Sequence, residues 1–519
     1  MRSERVEWLA SRGQKEGEID KDSAQSRVLV SGLNQWEWEV YFVSTVVTSL
    51  RAKLVYWEVE PKTERLARSL FPETDLYVNR GTKQQRSQYW AEHDWPLVDP
   101  WVVEKIAAYD LQLWPSFLRN AQLFGVRGDM SLKDEYHRAI TYRYYFIKHS
   151  NPNLYIFGNV PTGFYTYVDY VVCKLFSIDT VILRRIELPG CYALPLRSFE
   201  TLGVDFQKSD VREDQEVSDP EVRDYILRLS GSYADAMPQV YGSSGGFGEA
   251  YKIDRNSGEL KDSEFWLFRM LKEVCLTSKN KTRDLLRAIV YFCIRRSFYR
   301  LYRKLADPNL PLKAPYVLVN LHYQPEASSI PLGGMFAYQD MMIGALSRAV
   351  PDTWQVYVKE HPTHLLNNRF NFSLKFRHPQ FYRNLLQYTN VRLVPVSANN
   401  FTLIDNAKAV ATLTGTSGFE AINRGIPCLA FGYPWYLNAD GCFSVRDQSD
   451  VEGALKVIEQ GYTPNKRKMV EFVNHILDHS ISGMFLRDDG SIVAEHGSVQ
   501  QYGENRAIKF LALLGLNRD

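Results

Sequence analysis

Short apolar runs alternate with segments of helical spacing in the first part of the chain. Four runs predict buried strands: RVLVSGL (27–33), AKLVYWEV (52–59), NLYIFGNV (153–160) and DTVILRRIEL (179–188). Helical spacing lies between or after them, at 37–50, 101–124, 136–147 and 165–176. This alternation predicts an N-terminal Rossmann-like domain with a parallel sheet over residues 26–200.

The same alternation returns after a proline-containing boundary near residue 315. Five further runs predict strands: YVLVNLHY (316–323), WQVYVKE (354–360), VRLVPV (391–396), AVATLT (409–414) and PCLAFG (427–432). They predict a second Rossmann-like domain over residues 315–460, which would face the first across a cleft. The remaining ranges are a polar leader (1–25), a flexible loop with a basic helical linker (201–314) and a helical tail (461–519), which we expect to pack back on the N-terminal domain.

Charge and cysteine content exclude several classes of protein. The 62 basic and 60 acidic residues nearly balance, so no global polyanion-binding surface and no nucleic-acid partner is predicted. The six cysteines form no C-x-x-C pair, which argues against a zinc site or a disulfide framework. The charged leader lacks the apolar core of a secretory signal, and no window approaches the roughly 18 apolar residues of a spanning helix. We therefore expect a cytoplasmic protein, with contact at a membrane surface left open.

The run at 409–414 ends in a small, hydroxyl-rich turn that opens a helix, TGTSGFEA (414–421). Hydroxyls and free amides at such a helix start can donate to a phosphate, and glycine lets the backbone approach it closely. Glu420 could accept hydrogen bonds from ribose hydroxyls. The alternative is a capping box that Glu420 completes. Five residues of the turn are predicted to bind phosphate: Thr414, Gly415, Thr416, Ser417 and Gly418.

A second junction, VYVKEHP (356–362), ends another predicted strand. His361 could donate to a phosphate oxygen or protonate a leaving group, and Pro362 fixes the turn. Lys359 and Glu360 should lie on opposite faces of the strand end. A histidine at a strand end can equally be structural.

A third junction, NLHYQPEASS (320–329), follows the first strand of this domain. His322, Gln324 and Glu326 make it more polar than a turn requires. These side chains could hold the sugar or the base, or cap the next helix.

The helical segment 281–304 interleaves Lys and Arg with Leu, Ile, Phe and Tyr. It is either a connecting helix with a solvated basic face or a basic amphipathic element. The second alternative predicts peripheral contact with anionic lipid, or with a lipid-linked glycan.

The succession YVLVNLHYQPEAS, PLGGMFAYQDMMIGAL, WQVYVKEHP and NNFTLIDNAKAVATLTGTSGFEAINRGIPCLAFG, followed by PWY, resembles the capsule polysaccharide biosynthesis family over residues 315–440. That family includes the Kdo transferases of Gram-negative capsule assembly, and its nucleotide half resembles the GT-B sialyltransferases. The resemblance implies a GT-B-like α/β fold and a CMP-sugar as donor substrate, and no cofactor is expected. No metal is expected either, because no D-x-D sequence stands at the end of a predicted strand. The role of holding the CMP phosphate falls, by resemblance, on His361 with Pro362 and on Thr414, Thr416 and Ser417. Glu420 is similar to the acidic residue that contacts ribose.

Fewer residues of the sequence indicate where the acceptor binds. Capsule Kdo transferases have an acidic-glycine motif in the N-terminal domain, and RRIELPG (184–190) is the nearest sequence here, although it departs from that motif. Glu187 is predicted to be catalytic together with His361. Glu37, Glu39 and Asp169 are the alternatives to Glu187.

These features predict a metal-independent glycosyltransferase. It would move a sugar, Kdo or another ulosonic acid, from a CMP-activated donor to a surface or capsular polysaccharide, in the cytoplasm or at the cytoplasmic face of the inner membrane of a Gram-negative bacterium. Two alternatives remain open. One is a CDP-polyol phosphotransferase of teichoic-acid type, and the other is a non-catalytic glycan-binding protein of capsule assembly or export.

Overall fold

The computed structural model describes residues 26–33, 35–78, 98, 100–121, 129–201, 216–232, 251–253, 260–262, 281–324, 328–366, 377–485 and 497–516. The chain divides into two compact units. The first comprises Met1–Ile186, Gly190–Val204 and His479–Asp519, and the second comprises Glu187–Pro189 and Asp205–Asp478. The predicted leader, the glycine-rich loop at 242–248 and Glu326 lie outside the described residues.

The first unit is built on a six-stranded sheet in the order β3-β2-β1-β4-β5-β6. Its strands are β1 (Arg27–Ser31), β2 (Lys53–Val59), β3 (Asp75–Val78), β4 (Leu154–Phe157), β5 (Asp179–Arg185) and β6 (Ala193–Leu196). All neighbours are parallel except β6, which runs antiparallel to β5. The Rossmann-like prediction is confirmed. The two edge strands, β3 and β6, were not predicted; β3 begins with the charged Asp75, and β6 contains Pro195.

Helices of the first unit follow most of these strands. They are α1 (Glu37–Ser49), α2 (Glu64–Leu70), α3 (Pro100–Ala107), α4 (Asp110–Ala121), α5 (Asp129–Ser150) and α6 (Phe164–Leu175). Further along the chain, after β6, the described residues include α7 (Pro220–Leu229), the antiparallel pair of β7 (Tyr251–Ile253) and β8 (Leu260–Asp262), and the long α8 (Lys281–Leu305).

The second unit has its own six-stranded sheet, parallel throughout, in the order β11-β10-β9-β12-β13-β14. Its strands are β9 (Tyr316–Asn320), β10 (Gln355–Lys359), β11 (Val391–Val394), β12 (Ala409–Thr412), β13 (Cys428–Ala430) and β14 (Cys442–Ser444). The strand order reverses between β9 and β12, which is the point where open α/β sheets bind ligands. The second Rossmann-like prediction is confirmed, with β14 added.

The helices of this unit are α9 (Gln339–Ala349), α10 (Pro362–Leu366), α11 (Pro379–Leu385), α12 (Asn400–Asp405), α13 (Thr416–Asn423), α14 (Gln448–Glu459) and α15 (Lys466–Asp478), with a 3-10 turn at Gly334–Ala337. Val356 and Val358 of β10 belong to the main hydrophobic core, together with Met342 of α9. Because side chains alternate across a strand, Tyr357 and Lys359 point to the opposite face.

The last helix, α16 (Val499–Leu513), belongs to the first unit and packs against α1. The rings of Trp38 and Tyr502 meet edge to face at 5.6 Å, and those of Phe42 and Phe510 at 5.4 Å. The C-terminal chain thus completes a core whose first strand lies near the N-terminus. Among the described residues, no helix is long and apolar enough to cross a membrane.

Candidate functional site

The three polar junctions found in the sequence follow three adjacent strands. β10 pairs with β9, and β9 pairs with β12, all in parallel. The carboxyl ends of the three strands therefore lie side by side at one edge of the sheet, and the gap between β9 and β12 is the switch point. The structure brings the described residues of the three junctions together at this edge.

His322, just after β9, holds the turn that follows β12. Its Nε2 accepts the Thr414 N–H at 3.2 Å and lies 3.1 Å from Thr412 Oγ1. That hydroxyl oxygen accepts the Gly415 N–H at 3.2 Å. With Nε2 accepting, the neutral ring carries its proton on Nδ1. His322 is buried, and its contacts position the turn.

A buried ion pair ties the end of β10 to the end of β9. Arg377 Nε lies 3.0 Å from Glu360 Oε2, and Arg377 Nη2 donates to the His322 carbonyl at 3.1 Å. The Tyr382 hydroxyl donates to the same carboxylate oxygen at 2.5 Å, and Glu360 Oε1 accepts the His361 N–H at 2.8 Å. Burial raises the pKa of Glu360, and Arg377 is the strongest opposing influence. Glu360, predicted to bind the ligand, has its carboxylate fully engaged within the protein.

The turn after β12 starts α13 differently from the predicted capping box. The N-cap is Gly415, and no side chain caps the helix. Thr416 Oγ1 donates to Glu420 Oε1 at 3.0 Å, and Thr414 Oγ1 donates to the Ser328 carbonyl at 2.9 Å. Within the described part of the chain, the N–H groups of Thr416 and Ser417 and the Ser417 hydroxyl remain available as donors. The helix dipole adds partial positive charge at the same place.

The two glycines of the turn are needed for packing. A Cβ on Gly418 would lie 2.3 Å from Tyr436 Oη and 2.6 Å from Cys428 Sγ. A Cβ on Gly415 would lie 2.8 Å from Thr412 Oγ1. The Tyr436 hydroxyl donates to the Gly415 carbonyl, so the turn is fixed from both sides.

Lys359, at the end of β10, is a buried positive charge at this edge of the sheet. Its side chain is only 4% exposed, and within the described residues it has neither a hydrogen bond nor a carboxylate at ion-pair distance. Burial lowers the pKa of Lys359 to about 8, and the negative charge of Glu420 opposes that change. A buried cation without a close counter-charge is suited to receiving an anion.

Glu420 lies one turn into α13 and is partly exposed. Burial of the carboxyl raises the pKa of Glu420, opposed first by the Thr416 hydrogen bond and then by the charge of Lys359. Asn400 of α12 also hydrogen-bonds this carboxyl group. The charges of Lys359 and Glu420 therefore influence each other beside the helix start without forming an ion pair.

His361 and Pro362 lie where β10 turns into α10. His361 is half-buried, and its ring centroid lies 6.2 Å from that of Tyr323. His364, one turn further on, is buried against Phe298 and Tyr323, and neither ring nitrogen has a hydrogen-bond partner among the described residues. Burial lowers the pKa of His364 well below its usual value, so that ring is neutral.

Of the other residues predicted at the third junction, Gln324 is buried and its amide donates to Ser329 Oγ at 3.0 Å. This contact closes the loop after β9. Glu326 lies outside the described residues, so its role stays a prediction.

Glu187 groups with the second unit as part of the short segment Glu187–Pro189. Its side chain is exposed. The pKa of the Tyr436 phenol is raised by burial first, then by Cys428, Cys442, Glu420 and Glu187. Glu187 is the last of these influences on Tyr436, whose hydroxyl donates to the Gly415 carbonyl.

The alternatives to Glu187 have other partners. Asp169 is buried and accepts two hydrogen bonds from Arg143, one of them from Nε at 2.5 Å, and a third from Tyr155 at 2.9 Å. Glu39 caps α1 by accepting the N–H groups of Gln35 and Trp36. Glu37 is exposed in the first turn of the same helix.

Four residues that position the site were not predicted to do so: Arg377, Asn400, Thr412 and Tyr436. Tyr436 stands in the PWY sequence that formed part of the family resemblance, and Thr412 interrupts the apolar run AVATLT. Arg377 carries no local signal, because its partners Glu360 and His322 are distant in sequence. Nowhere in the described ranges do three His, Cys, Asp or Glu side chains cluster as metal ligands would.

Residues 278–444, which contain α8 and all three junctions, match one protein-family model. The family is the capsule polysaccharide biosynthesis protein family. The match confirms the resemblance inferred from the motifs and extends through β14. No curated protein matches this chain in sequence.

Three solved structures are similar in part. The beta Kdo 2,4 transferase of Thermosulfurimonas dismutans KpsC is 14% identical over 42% of this chain and 72% of its own, with a TM-score of 0.20. The calicheamicin glycosyltransferase CalG4 is 12% identical over 95% and 99%, with a TM-score of 0.22. The UDP-GlcNAc 2-epimerase of Methanocaldococcus jannaschii is 12% identical over 87% and 99%, with a TM-score of 0.23. At these TM-scores no residue role is transferred from them.

Proposed function

We propose that this protein is a glycosyltransferase of capsule assembly that uses a CMP-activated sugar. The observation that carries the proposal is Lys359, a buried cation that has no ion-pair partner among the described residues. It ends β10, which pairs with β9, and β9 is one of the two strands at the switch point of this Rossmann-like sheet. Such a position suits the phosphate of a nucleotide donor.

The phosphate would be held from two sides. The amides of Thr416 and Ser417 and the Ser417 hydroxyl would donate from the helix start, and the Lys359 ammonium would donate from the end of β10. Both would stabilise the negative charge that develops on CMP as it leaves. The Glu420 carboxylate would attract the Lys359 ammonium and accept hydrogen bonds from the ribose hydroxyls. His361, positioned by Pro362, would line the side of the site next to the phosphate and supply a proton.

Glu187 would act as the base toward the acceptor hydroxyl. Two observations support this role: its side chain is exposed, and its charge contributes to the raised pKa of Tyr436, which donates to the turn proposed to hold the phosphate.

The finer parts of the proposal follow the family match. The sugar would be Kdo or another ulosonic acid, and the acceptor a capsular or surface polysaccharide, free or lipid-linked. We propose no metal and no cofactor beyond the donor substrate, and a peripheral location at the cytoplasmic face of the inner membrane, with contact through the basic helix 281–304.

A donor panel with a capsular acceptor tests this function. We expect release of CMP from CMP-Kdo with unchanged rate in the presence of EDTA, and a loss of at least about a hundredfold in Glu187→Gln. Turnover of CDP-glycerol without turnover of any CMP-sugar would instead establish the polyol phosphotransferase. Absence of turnover and of binding for every nucleotide would favour a non-catalytic glycan-binding protein.

A further inference from the structure

Helix α8 is anchored along one face of its C-terminal half. The helix has 25 residues and is therefore about 37 Å long. Phe298 and Tyr302 are buried in the core of the second unit. The Tyr302 hydroxyl donates to the Val394 carbonyl at 2.6 Å and accepts the Glu360 N–H at 3.1 Å. These contacts fix the rotation of the helix about its axis, and so fix which face points outward.

The described side chains of the N-terminal half include a row of exposed apolar residues. Four large side chains on it are strongly exposed: Leu286 (60%), Ile289 (44%), Val290 (56%) and Ile294 (53%). The exposed Cys293 lies among them. Their spacing of three and four residues places them on one stripe along the helix. A contiguous exposed row of aliphatic side chains indicates a surface that is covered in use.

The same face becomes basic in the C-terminal half. Lys304 lies about five helical turns beyond Leu286 and therefore continues the same stripe, with Arg300 beside it. Arg300, Arg303 and Lys304 are exposed and make no ion pair with the described residues. The helix as a whole carries eight Lys or Arg residues and a single Asp, although the full chain is nearly balanced at +2. This helix therefore has a much larger excess of positive over negative residues than the chain as a whole.

We propose that this face of α8 docks on an anionic lipid surface. Leu286, Ile289, Val290 and Ile294 enter the boundary of the acyl chains, and Arg300, Arg303 and Lys304 contact lipid phosphates. The charge pattern favours a lipid surface over a second copy of the protein. A second copy of the helix would bring like charges together, whereas an anionic membrane supplies both an apolar layer and the opposite charge.

Docking through this face rests on the proposed peripheral location and names the residues that contact the membrane. It does not depend on which nucleotide sugar is the donor. Insertion of an apolar stripe differs from adsorption by charge alone, because high salt would abolish adsorption and would only weaken insertion.

Vesicle flotation of the full-length protein tests the proposal. We expect binding to phosphatidylcholine vesicles that contain phosphatidylglycerol, and at least about tenfold weaker binding to phosphatidylcholine alone. The double variant Ile289→Ser with Ile294→Ser should bind the anionic vesicles at least about tenfold less. The double variant Arg300→Ser with Lys304→Ser should bind less and show a weaker dependence on salt.

The matched control removes two exposed aliphatic side chains elsewhere, Leu227→Ser with Ile508→Ser. It should bind vesicles like the wild type. All three variants should keep the melting temperature and the CMP-donor turnover measured in solution, which separates failure of docking from failure of the proposed function.

The depth to which α8 enters the bilayer is measured with a bimane label on Cys293, in a variant whose Cys191, Cys275 and Cys442 are replaced by Ser. We expect a blue shift on vesicle binding and quenching by brominated acyl chains. Equal vesicle binding by the Ile289→Ser, Ile294→Ser variant, or a label that stays unquenched, would overturn the proposal. So would a wild-type dimer in solution that this variant dissociates, because the face would then bind a second copy.

Discussion

Lys359 carries a charge in a place that disfavours charge. Burial lowers its pKa from 10.5 to about 8, so the side chain is still mostly protonated at neutral pH. That difference corresponds to a cost of roughly 3 kcal/mol for the charged form in the fold. A residue that destabilises the empty protein in this way is expected to be compensated by a bound anion.

Replacing Lys359 by Met should therefore stabilise the empty protein. We expect an increase of about 1–3 kcal/mol in the free energy of unfolding, since the isosteric apolar chain fills the same space without the charge. Urea denaturation measures it. The exposed Lys408 provides the control, and Lys408→Met should change stability by less than about 0.5 kcal/mol. A strongly destabilised Lys359→Met protein would mean that the ammonium has a structural partner.

His364 makes stability depend on pH. Its pKa is lowered by burial and by the charges of Arg377 and His361. Below the unfolded value of about 6.5 the unfolded chain binds a proton that the folded ring does not, so this contribution to stability falls as pH decreases. It is fully present above that value.

In His364→Phe this dependence should be absent. The unfolding free energy of the variant relative to the wild type should increase as pH falls from 7 to 5, by up to about 1.4 kcal/mol per pH unit. Denaturation curves at several pH values give the difference directly. Parallel pH profiles for the two proteins would show that His364 finds a partner for its proton in the fold.

At the scale of the element, the close packing of helix α13 requires a glycine at position 418. Gly418→Ala would place a methyl group against Tyr436 Oη and Cys428 Sγ, at 2.3 and 2.6 Å. We expect destabilisation of about 1–3 kcal/mol, together with weaker CMP binding, because the helix start must move.

Gly453 in α14 is the matched control, since a Cβ there meets nothing within 4 Å. Gly453→Ala should be neutral or stabilise by about 0.5–1 kcal/mol. Thermal unfolding compares the two variants. If both behave alike, the close packing of Gly418 does not limit the helix.

The strand ends at this edge could be predicted from sequence, because each apolar run stops at a polar cluster: KEHP, TGTSG and NLHYQ. What the polar groups do could not be predicted. The Thr416 hydroxyl donates to the Glu420 carboxylate. The predicted capping box at Thr416 or Ser417 is absent, because the N-cap of α13 is Gly415. The bridge from Glu360 through Arg377 to His322 joins residues that no local pattern connects.

At the scale of the whole molecule, the first unit needs the end of the chain. Phe510 and Tyr502 of α16 pack on Phe42 and Trp38 of α1. Phe510→Ala should lower the stability of this unit by about 3–5 kcal/mol. Hydrogen exchange should then increase in α1 and β1 and stay unchanged in β12 and α13, which belong to the second unit. Equal loss of protection in both units would mean that they unfold together.

The two sheets could be predicted because their central strands are continuous apolar runs, as parallel strands buried on both faces must be. The edge strands β3, β6 and β14 could not, since short edge strands carry little pattern. The switch point between β9 and β12 follows from strand order, which pairing across long sequence distances determines, and it is this order that places Lys359 beside α13.

Calorimetric titration of CMP into the full-length protein tests this arrangement most directly. We expect the wild type and Lys408→Met to bind CMP, with UDP and GDP binding at least about tenfold more weakly, and Lys359→Met to lose at least about tenfold in affinity for CMP. Undiminished CMP binding by Lys359→Met, or binding of UDP alone, would contradict it.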